Sequence, residues 1–462
     1  MNESIIIGNQ IQLYFSSHAS LAAIGRRVTQ MKLFDPIARK VQIAQKQVRY
    51  RPVEKLLDAW IALLAGAQGM VEINKRLKAD VGLQRAFGRR GCADQSVVQD
   101  TLDACTPENV AQMQHAMDSI FRQHSQTYQH EYGLDWQLLD VDMTGRPCGK
   151  KAAFASKGYF AKQRHRRGRQ TGYVVGTWYE EIVVERLFDG TTQLNIALQP
   201  LIEAAEKTLN LDEHKRPRTI IRIDSGGGSV AEINWLLERG YPVQGKDYSG
   251  VRAETLAESV TQWIPDPADP SRQMGWVTTL TDLYCRPVKR IAVRCRKNNG
   301  QWGYGVILST LTAADVLHLT GGQVAEADDP QRVLLAYVHF YDERGGGVEI
   351  EIKEDKQGLA TAHRNKKRFA AQQILLQLEA LAHNVLVWAR RWLAPRSPKL
   401  ARLGLKRWVR DVLQMDGFLI FDQALNLIEV HLNRADPFAR EFSNGLAALF
   451  AREQVAVCLG EI

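Results

Sequence analysis

Cysteine is scarce in this chain. Six stand among 462 residues, Cys92, Cys105, Cys148, Cys285, Cys295 and Cys458, and no two form a CxxC pair. This argues against a zinc ribbon or a thioredoxin-type site, and thiols so sparse suit a reducing cytosol rather than a disulfide scaffold. No uninterrupted apolar run reaches about 18 residues, so no membrane span is expected. The opening stretch, MNESIIIGNQ, has no basic segment before its short apolar run, so no secretory signal is expected. The phosphate-cradling pattern GxxxxGK[ST] and the hydrolase elbow GxSxG are both missing. His363 and His383 have no partner at metal-ligand spacing and read as surface or hydrogen-bonded histidines. No internal repeat is visible.

What is present is the mixture of a soluble globular protein, 45% hydrophobic and 24% charged. The length predicts about three domains at roughly 150 residues each. The formal net charge is +9, and its distribution says more than its size. Lys150 to Arg169 carries Lys150, Lys151, Lys157, Lys162, Arg164, Arg166, Arg167 and Arg169 with no acid. Arg286 to Lys297 holds six basic residues and no acid, and Arg364 to Arg410 holds twelve against the single acid Glu379. Three such blocks point to a polyanionic partner, against the plainer reading of three solvated faces.

Residues 1–130 read as helical. Val53, Leu56, Leu57, Trp60, Ile61 and Leu64 recur at helical spacing, and Asp94 is placed to cap a short helix from Gln95 to Ala104. That helix is a candidate for base contacts, although a plain bundle fits the pattern equally. From Leu134 the pattern becomes α/β. A strand runs into Asp140-Val141-Asp142-Met143-Thr144, one or two more lie in Tyr173 to Val184, a helix spans Ile196 to Leu209, and a strand from Thr219 ends at Asp224. Residues 250–330 predict antiparallel strands at Val277–Leu283, Val288–Arg296 and Trp302–Leu308, with Asn298-Asn299-Gly300 as a hairpin turn. Helices are expected at Val333–Glu343, Glu349–Lys356 and Ala370–Trp392, and the remainder reads as helical again.

Asp142 and Asp224 both sit where a strand ends, at the rim of a sheet, facing any ligand bound there. Carboxylates from neighbouring strands, joined by a third from a helix, make an oxygen-lined site for Mg²⁺, and a pair of such ions suits phosphodiester chemistry. The plain alternative is that each Asp caps a turn.

These stretches together resemble the DDE transposases of bacterial insertion sequences, in the branch with a tyrosine–arginine–glutamate–lysine signature. Leu138-Leu139-Asp140-Val141-Asp142-Met143-Thr144 is similar to the strand bearing that family's first Asp, and Arg222-Ile223-Asp224-Ser225-Gly226 to its second Asp motif, continued by Trp235 to Lys246. Tyr341-Asp342-Glu343-Arg344, Glu349 and Lys356 match the signature, with six residues between Glu349 and Lys356, two helical turns and so one face. Four residues, Gly345 to Val348, separate Arg344 from Glu349 where the family usually has three, so Glu343 and Glu351 stand as alternatives to Glu349. Asp140 and Asp142 share a strand face; the position before Met143-Thr144 selects Asp142.

The resemblance implies an α/β fold: an RNase H-like catalytic core interrupted by a β-rich insertion, with helical N-terminal and C-terminal regions. The corresponding divisions are 1–130 for DNA binding, 131–249 and 331–394 for the two parts of the core, 250–330 for the insertion, and 395–462 for the C-terminal region. Asp142, Asp224 and Glu349 are expected to hold two Mg²⁺ ions, with Mn²⁺ as a substitute. Tyr341, Arg344 and Lys356 are expected to bind phosphates near the cut, with further phosphate contacts from Lys157, Arg164, Arg166 and Arg167 and from the block around Arg364 to Arg368. Trp276 or Trp302 is either a stacking surface for an unpaired base or a sheet-packing residue. The expected partners are double-stranded DNA, both element ends and target, and a second copy of the chain on paired ends, without a membrane, in the bacterial cytoplasm at the nucleoid. Two further readings stand beside strand transfer: a non-catalytic DNA-binding protein on the same fold, and a Mg²⁺-dependent nuclease that does not join strands.

Overall fold

Near-continuous apolar runs form the central strands of this protein, because a strand covered on both faces has no solvent side to make polar. A computed structural model of the chain describes every residue except 1–4, 7–10, 47–48, 159, 161–162, 164–165, 280–282, 347 and 454. In chain order the strands are β1 (Ile5–Ile6), β2 (Gln12–Ser16), β3 (Gln137–Pro147), β4 (Ser156–Lys157), β5 (Arg167–Gly176), β6 (Glu181–Asp189), β7 (Thr219–Ile223) and β8 (Val243–Lys246). They continue with β9 (Ile264–Asp266), β10 (Asp269–Trp276), β11 (Lys289–Arg296), β12 (Trp302–Ser309), β13 (Gly417–Phe421), β14 (Leu427–Asn433) and β15 (Ala456–Gly460). The chain divides into two compact units. One contains 1–125, 146–155 and 351–462; the other contains 126–145 and 156–350. No helix among the described residues is long and apolar enough to cross a membrane.

The first unit is organised on the helix Phe369–Leu393. It is buried on almost every side from Ala371 to Ala389, which is more than the amphipathic stripe expected of it. Burying the whole circumference forces its polar residues to find partners. Glu379 takes Arg146 at 2.9 Å, and the His383 ring meets the Asp355 carboxylate at 2.9 Å. Helices Pro52–Leu64 and Pro107–His124, each opened by a proline in the first turn, belong to the same core. Asp94 stands at the start of helix Gln95–Asp103, but its carboxylate pairs with Lys78 at 2.6 Å instead of capping the helix.

The C-terminal region is not all helical, as the sequence had suggested. Strands β13, β14 and β15 join β1 and β2 in a five-stranded sheet, in the order β1-β2-β13-β14-β15. The missed signal is a period of two. In β13, Gly417, Leu419 and Phe421 are buried while Phe418 and Ile420 are less so. Asp422 then turns the chain by accepting a hydrogen bond from the Asn426 amide at 2.7 Å. β15 pairs parallel to β14, as the crossover through helix Ala439–Phe450 allows.

The second unit carries the large sheet, ordered β4-β5-β3-β7-β8-β12-β11-β10-β9, with β6 paired to β5. Its centre is parallel: β3 pairs with β7, and β7 with β8. The antiparallel strands of 250–330 extend this sheet, because β12 pairs with β8 through Ile307 and Lys246. Gly300, at φ +79°, makes the expected turn between β11 and β12. The strand expected at Val277–Leu283 lies earlier, as β10, in register with β11 through Trp276 and Ile291; residues 280–282 are outside the described set. Helix Pro330–Gly346 covers one sheet face, burying Leu334, Tyr337, Val338 and Phe340 against Leu138, Ile220, Met274 and Ile291. Gly347, in the glycine run, is outside the described residues, and the next helix runs from Val348 to Gly358.

Candidate active site

The parallel register of β3 and β7 places the two aspartates. Asp140 lies opposite Arg222 and Val141 opposite Ile223. The next residues, Asp142 within β3 and Asp224 just past the end of β7, therefore stand side by side, where neighbouring strands are about 4.8 Å apart. β3 runs on to Pro147, so Asp142 does not end its strand as the sequence had suggested. Asp224 caps a one-turn helix by accepting from the Gly226 amide at 2.8 Å. The turn needs glycine: a Cβ at Gly228 would collide with the Lys246 carbonyl oxygen.

The same register separates the roles of Asp140 and Asp142. Asp140 accepts two hydrogen bonds from Arg222, Nε at 2.7 Å and Nη2 at 2.8 Å, and both side chains are fully buried. The Thr177 hydroxyl donates to Asp140 at 2.8 Å, and Arg222 Nη1 donates to the Phe340 carbonyl at 2.6 Å. The Asp140 carboxylate is thus enclosed in the sheet. Asp142 keeps 15% of its side chain exposed and looks toward other acids.

Arg344, on the last turn of helix Pro330–Gly346, links two of them. Its guanidinium lies 3.3 Å from Asp142 and 3.2 Å from Glu349, and Nη2 donates to the Val141 carbonyl at 3.1 Å. Glu349 begins the following helix and is more than half exposed. The oxygens of Asp142, Asp224 and Glu349 are not all within 4.8 Å of one another; Arg344 stands between two of them. They are nonetheless electrically coupled. Burial first, then the charges of Asp224 and Glu349, push the Asp142 carboxyl up to about 6, against the opposing pull of Arg344 and the Met143 amide. Burial opposes the charge of Arg344, but Asp142, Asp140 and Asp224 together hold its pKa above the ordinary arginine value. Tyr341 is pushed up to about 12 by burial and by Asp224, Glu349 and Asp342, with Arg344 opposing, so its hydroxyl keeps its proton.

The other expected residues fall in different places. Arg344, expected as a phosphate fork, is 4% exposed and already spans two carboxylates. Lys356 lies in the last turn of helix Val348–Gly358, on the part belonging to the first unit. Lys157 and Arg167 are exposed and face each other across the β4–β5 ladder, and Arg166 is exposed beside them. Arg164 is outside the described residues. The block around Arg364 does not behave as one surface. Arg364 and Lys366 are buried, and desolvation pushes them down to about 10 and about 8. Neither reaches solvent, where a phosphate would be met; Lys367 and Arg368 do.

A cleft of about 1090 Å³, not anticipated from the sequence, is lined by Tyr341 but by none of Asp142, Asp224 and Glu349. Its lining includes Lys246, Arg272, Lys297, Trp302, Tyr341 and Asp342. Trp302 has the Arg294 guanidinium over its ring at 4.5 Å, and Trp276 instead packs edge-on against buried Tyr337 at 5.8 Å. The sequence signal was the pair of basic residues Arg294 and Arg296 on one face of β11, with Tyr304 and Trp302 opposite them on β12.

No protein-family model matches the chain, and no curated protein matches it. Among solved structures, a cryo-EM structure of a piggyBac transposase synaptic complex with hairpin DNA is similar at a TM-score of 0.46 and 13% identity, over 86% of this chain and 79% of that one.

Proposed function

We propose that the chain is a DNA transposase of the DDE type, with the central sheet of its second unit as an RNase H-like core. The observation that carries this reading is that Asp142, on β3, and Glu349, from a helix, share the single guanidinium of Arg344, while the β3–β7 register puts Asp224 beside Asp142, near enough to raise its carboxyl. Burial first, and then the neighbouring charges of Asp224 and Glu349, raise the Asp142 carboxyl, so negative charge gathered here lacks full compensation. A hard oxygen donor set with unmet negative charge fits Mg²⁺, or Mn²⁺ in its place. Held by Asp142, Asp224 and Glu349, two such ions would supply charge stabilisation for both the attacking and the leaving oxygen of a phosphodiester.

The chain's own residues do the rest. Arg344 sets the spacing of Asp142 and Glu349. Tyr341, protonated across the physiological range, is a hydrogen-bond donor at the edge of the acid cluster. Lys356 supplies a point charge for phosphate. Lys157 and Arg167, both exposed and opposite each other across the β4–β5 ladder, put two positive charges on one edge, which fits a DNA backbone running along β4 and β5. Arg166 and Arg164 continue that basic run. Both ends of an element must be cut together, which calls for a second copy of the chain on paired ends, acting on nucleoid DNA in a bacterial cytoplasm. Incubation with DNA carrying the terminal repeats that flank the gene, with and without Mg²⁺, tests the reading. Metal-dependent nicking and joined products are expected. Nicking without joining would reduce the chain to a nuclease, and binding without nicking to a DNA-binding protein.

A further inference from the structure

The C-terminal sheet brings together three side chains that strand cleavage does not use. Glu429 and His431 stand two residues apart on β14, so they share a face. β15 runs parallel beside it with Cys458 directly opposite His431. Register alone therefore collects a carboxylate, an imidazole and a thiol in one place. Glu429 Oε1 lies 2.8 Å from His431 Nε2 and 3.3 Å from Cys458 Sγ. One ligand atom from each residue falls within 4.8 Å of the other two, and no other group of His, Cys and carboxylates among the described residues is drawn so close.

The position within the sheet matters as much as the spacing. Val430, between the two β14 residues, and Leu432 point to the opposite face and are fully buried in the apolar core. Glu429, His431 and Cys458 are on the outer face, each half-buried and open to solvent. Phe418 lies opposite His431 on β13, and its ring meets Phe15 edge-on at 5.7 Å, which gives the group an apolar wall on one side. A cysteine on such a face contributes little to packing, since exposed strand positions favour β-branched and aromatic residues.

We propose that Glu429, His431 and Cys458 bind a divalent transition-metal ion of the zinc class, with a fourth position open to solvent. One oxygen, one nitrogen and one sulfur donor form a set too soft for Mg²⁺ and suited to Zn²⁺. A tetrahedral ion with bonds of about 2.0–2.3 Å needs ligand atoms roughly 3.3–3.8 Å apart, within reach of the spacing here by small side-chain rotations. Binding exchanges the thiol proton of Cys458 for the metal–sulfur bond; the proton leaves to solvent, and His431 binds as the neutral ring. The bound ion clips β15, the edge strand, to β14. The site is distinct in donor type from the oxygen-only cluster of Asp142, Asp224 and Glu349, so it stands whether or not the chain cuts DNA.

Cobalt titration of the metal-stripped full-length protein tests this. Co²⁺ bound to a thiolate shows near-ultraviolet charge transfer, which an all-carboxylate site cannot produce. One equivalent should generate that band, and Zn²⁺ should abolish it by displacement. Cys458→Ser should remove the band. His431→Asn should weaken binding about 100-fold or more, since even an outer partner of a metal ligand is worth 10–100-fold. His431→Asn also serves as the test if Cys458→Ser does not fold, as judged by circular dichroism. A wild-type protein without a stoichiometric band, or a band that persists at full strength in folded Cys458→Ser, overturns the proposal.

Discussion

Replacing Asp140 and Asp142 by alanine one at a time should abolish DNA nicking in both proteins, but for opposite reasons. Asp140 and Arg222 are fully buried and joined by two hydrogen bonds of 2.7 and 2.8 Å. Asp140→Ala leaves the guanidinium inside the sheet with the Phe340 carbonyl and, 3.9 Å away, the half-exposed Glu343 carboxylate. Removing one member of a buried pair costs about 3–5 kcal/mol. For a unit of this size each kcal/mol moves the melting temperature roughly 2–4 °C, so a fall of about 6–20 °C is expected. Asp142→Ala loses a 3.3 Å contact with Arg344 but also removes a carboxylate held among like charges and pushed up to about 6. These effects oppose, and the expected change is within about 1 kcal/mol in either direction. Thermal unfolding followed by circular dichroism, run beside a nicking assay, separates the two. As a control, replacing Asp140 and Arg222 together by leucine and methionine should recover much of the lost stability. An Asp140→Ala protein that melts within 2 °C of wild type yet cannot nick would make Asp140 the reacting acid and refute the assignment.

Arg344→Ala should lower nicking by on the order of a hundredfold, because Asp142 and Glu349 lose the cation between them, while DNA affinity measured by fluorescence anisotropy stays within about twofold; unchanged nicking would remove Arg344 from the site. Replacing Lys157, Arg166 and Arg167 together by alanine should flatten the dependence of log affinity on log salt by up to about 2.7, at roughly 0.9 per phosphate contact, and an identical slope would show that this edge does not meet DNA. Glu379→Ala should cost about 3–5 kcal/mol in denaturant unfolding, since Arg146 and Arg364 remain buried without their carboxylate, and a loss below about 1 kcal/mol would contradict the pairing.

The sequence by itself determined what depends on contiguous residues. The runs at Leu138–Val141 and Thr219–Ile223 read as strands because they are mostly apolar and β-branched or leucine-rich, and Asp224, just after the second, stands where its strand ends. The helices on either side of the glycine run were legible for the same reason, since periodicity acts over a few residues, although the first helix continues through Gly345 and Gly346 instead of stopping at them. Tertiary structure decided everything that depends on pairing between distant segments. Asp140 and Asp142 share a strand face and look alike in the sequence; only the β3–β7 register puts Arg222 opposite the first and leaves the second facing Glu349 and Arg344. Arg364 and Lys366 read as part of a basic surface, yet folding buries them, because a charge run does not reveal which of its members the core will enclose. Cys458 is far from His431 along the chain and meets it only because β15 returns parallel to β14. Local sequence sets which residues are apolar and at what period, but register is a global choice, made by whichever pairing buries the most apolar surface while leaving the fewest charges unpartnered.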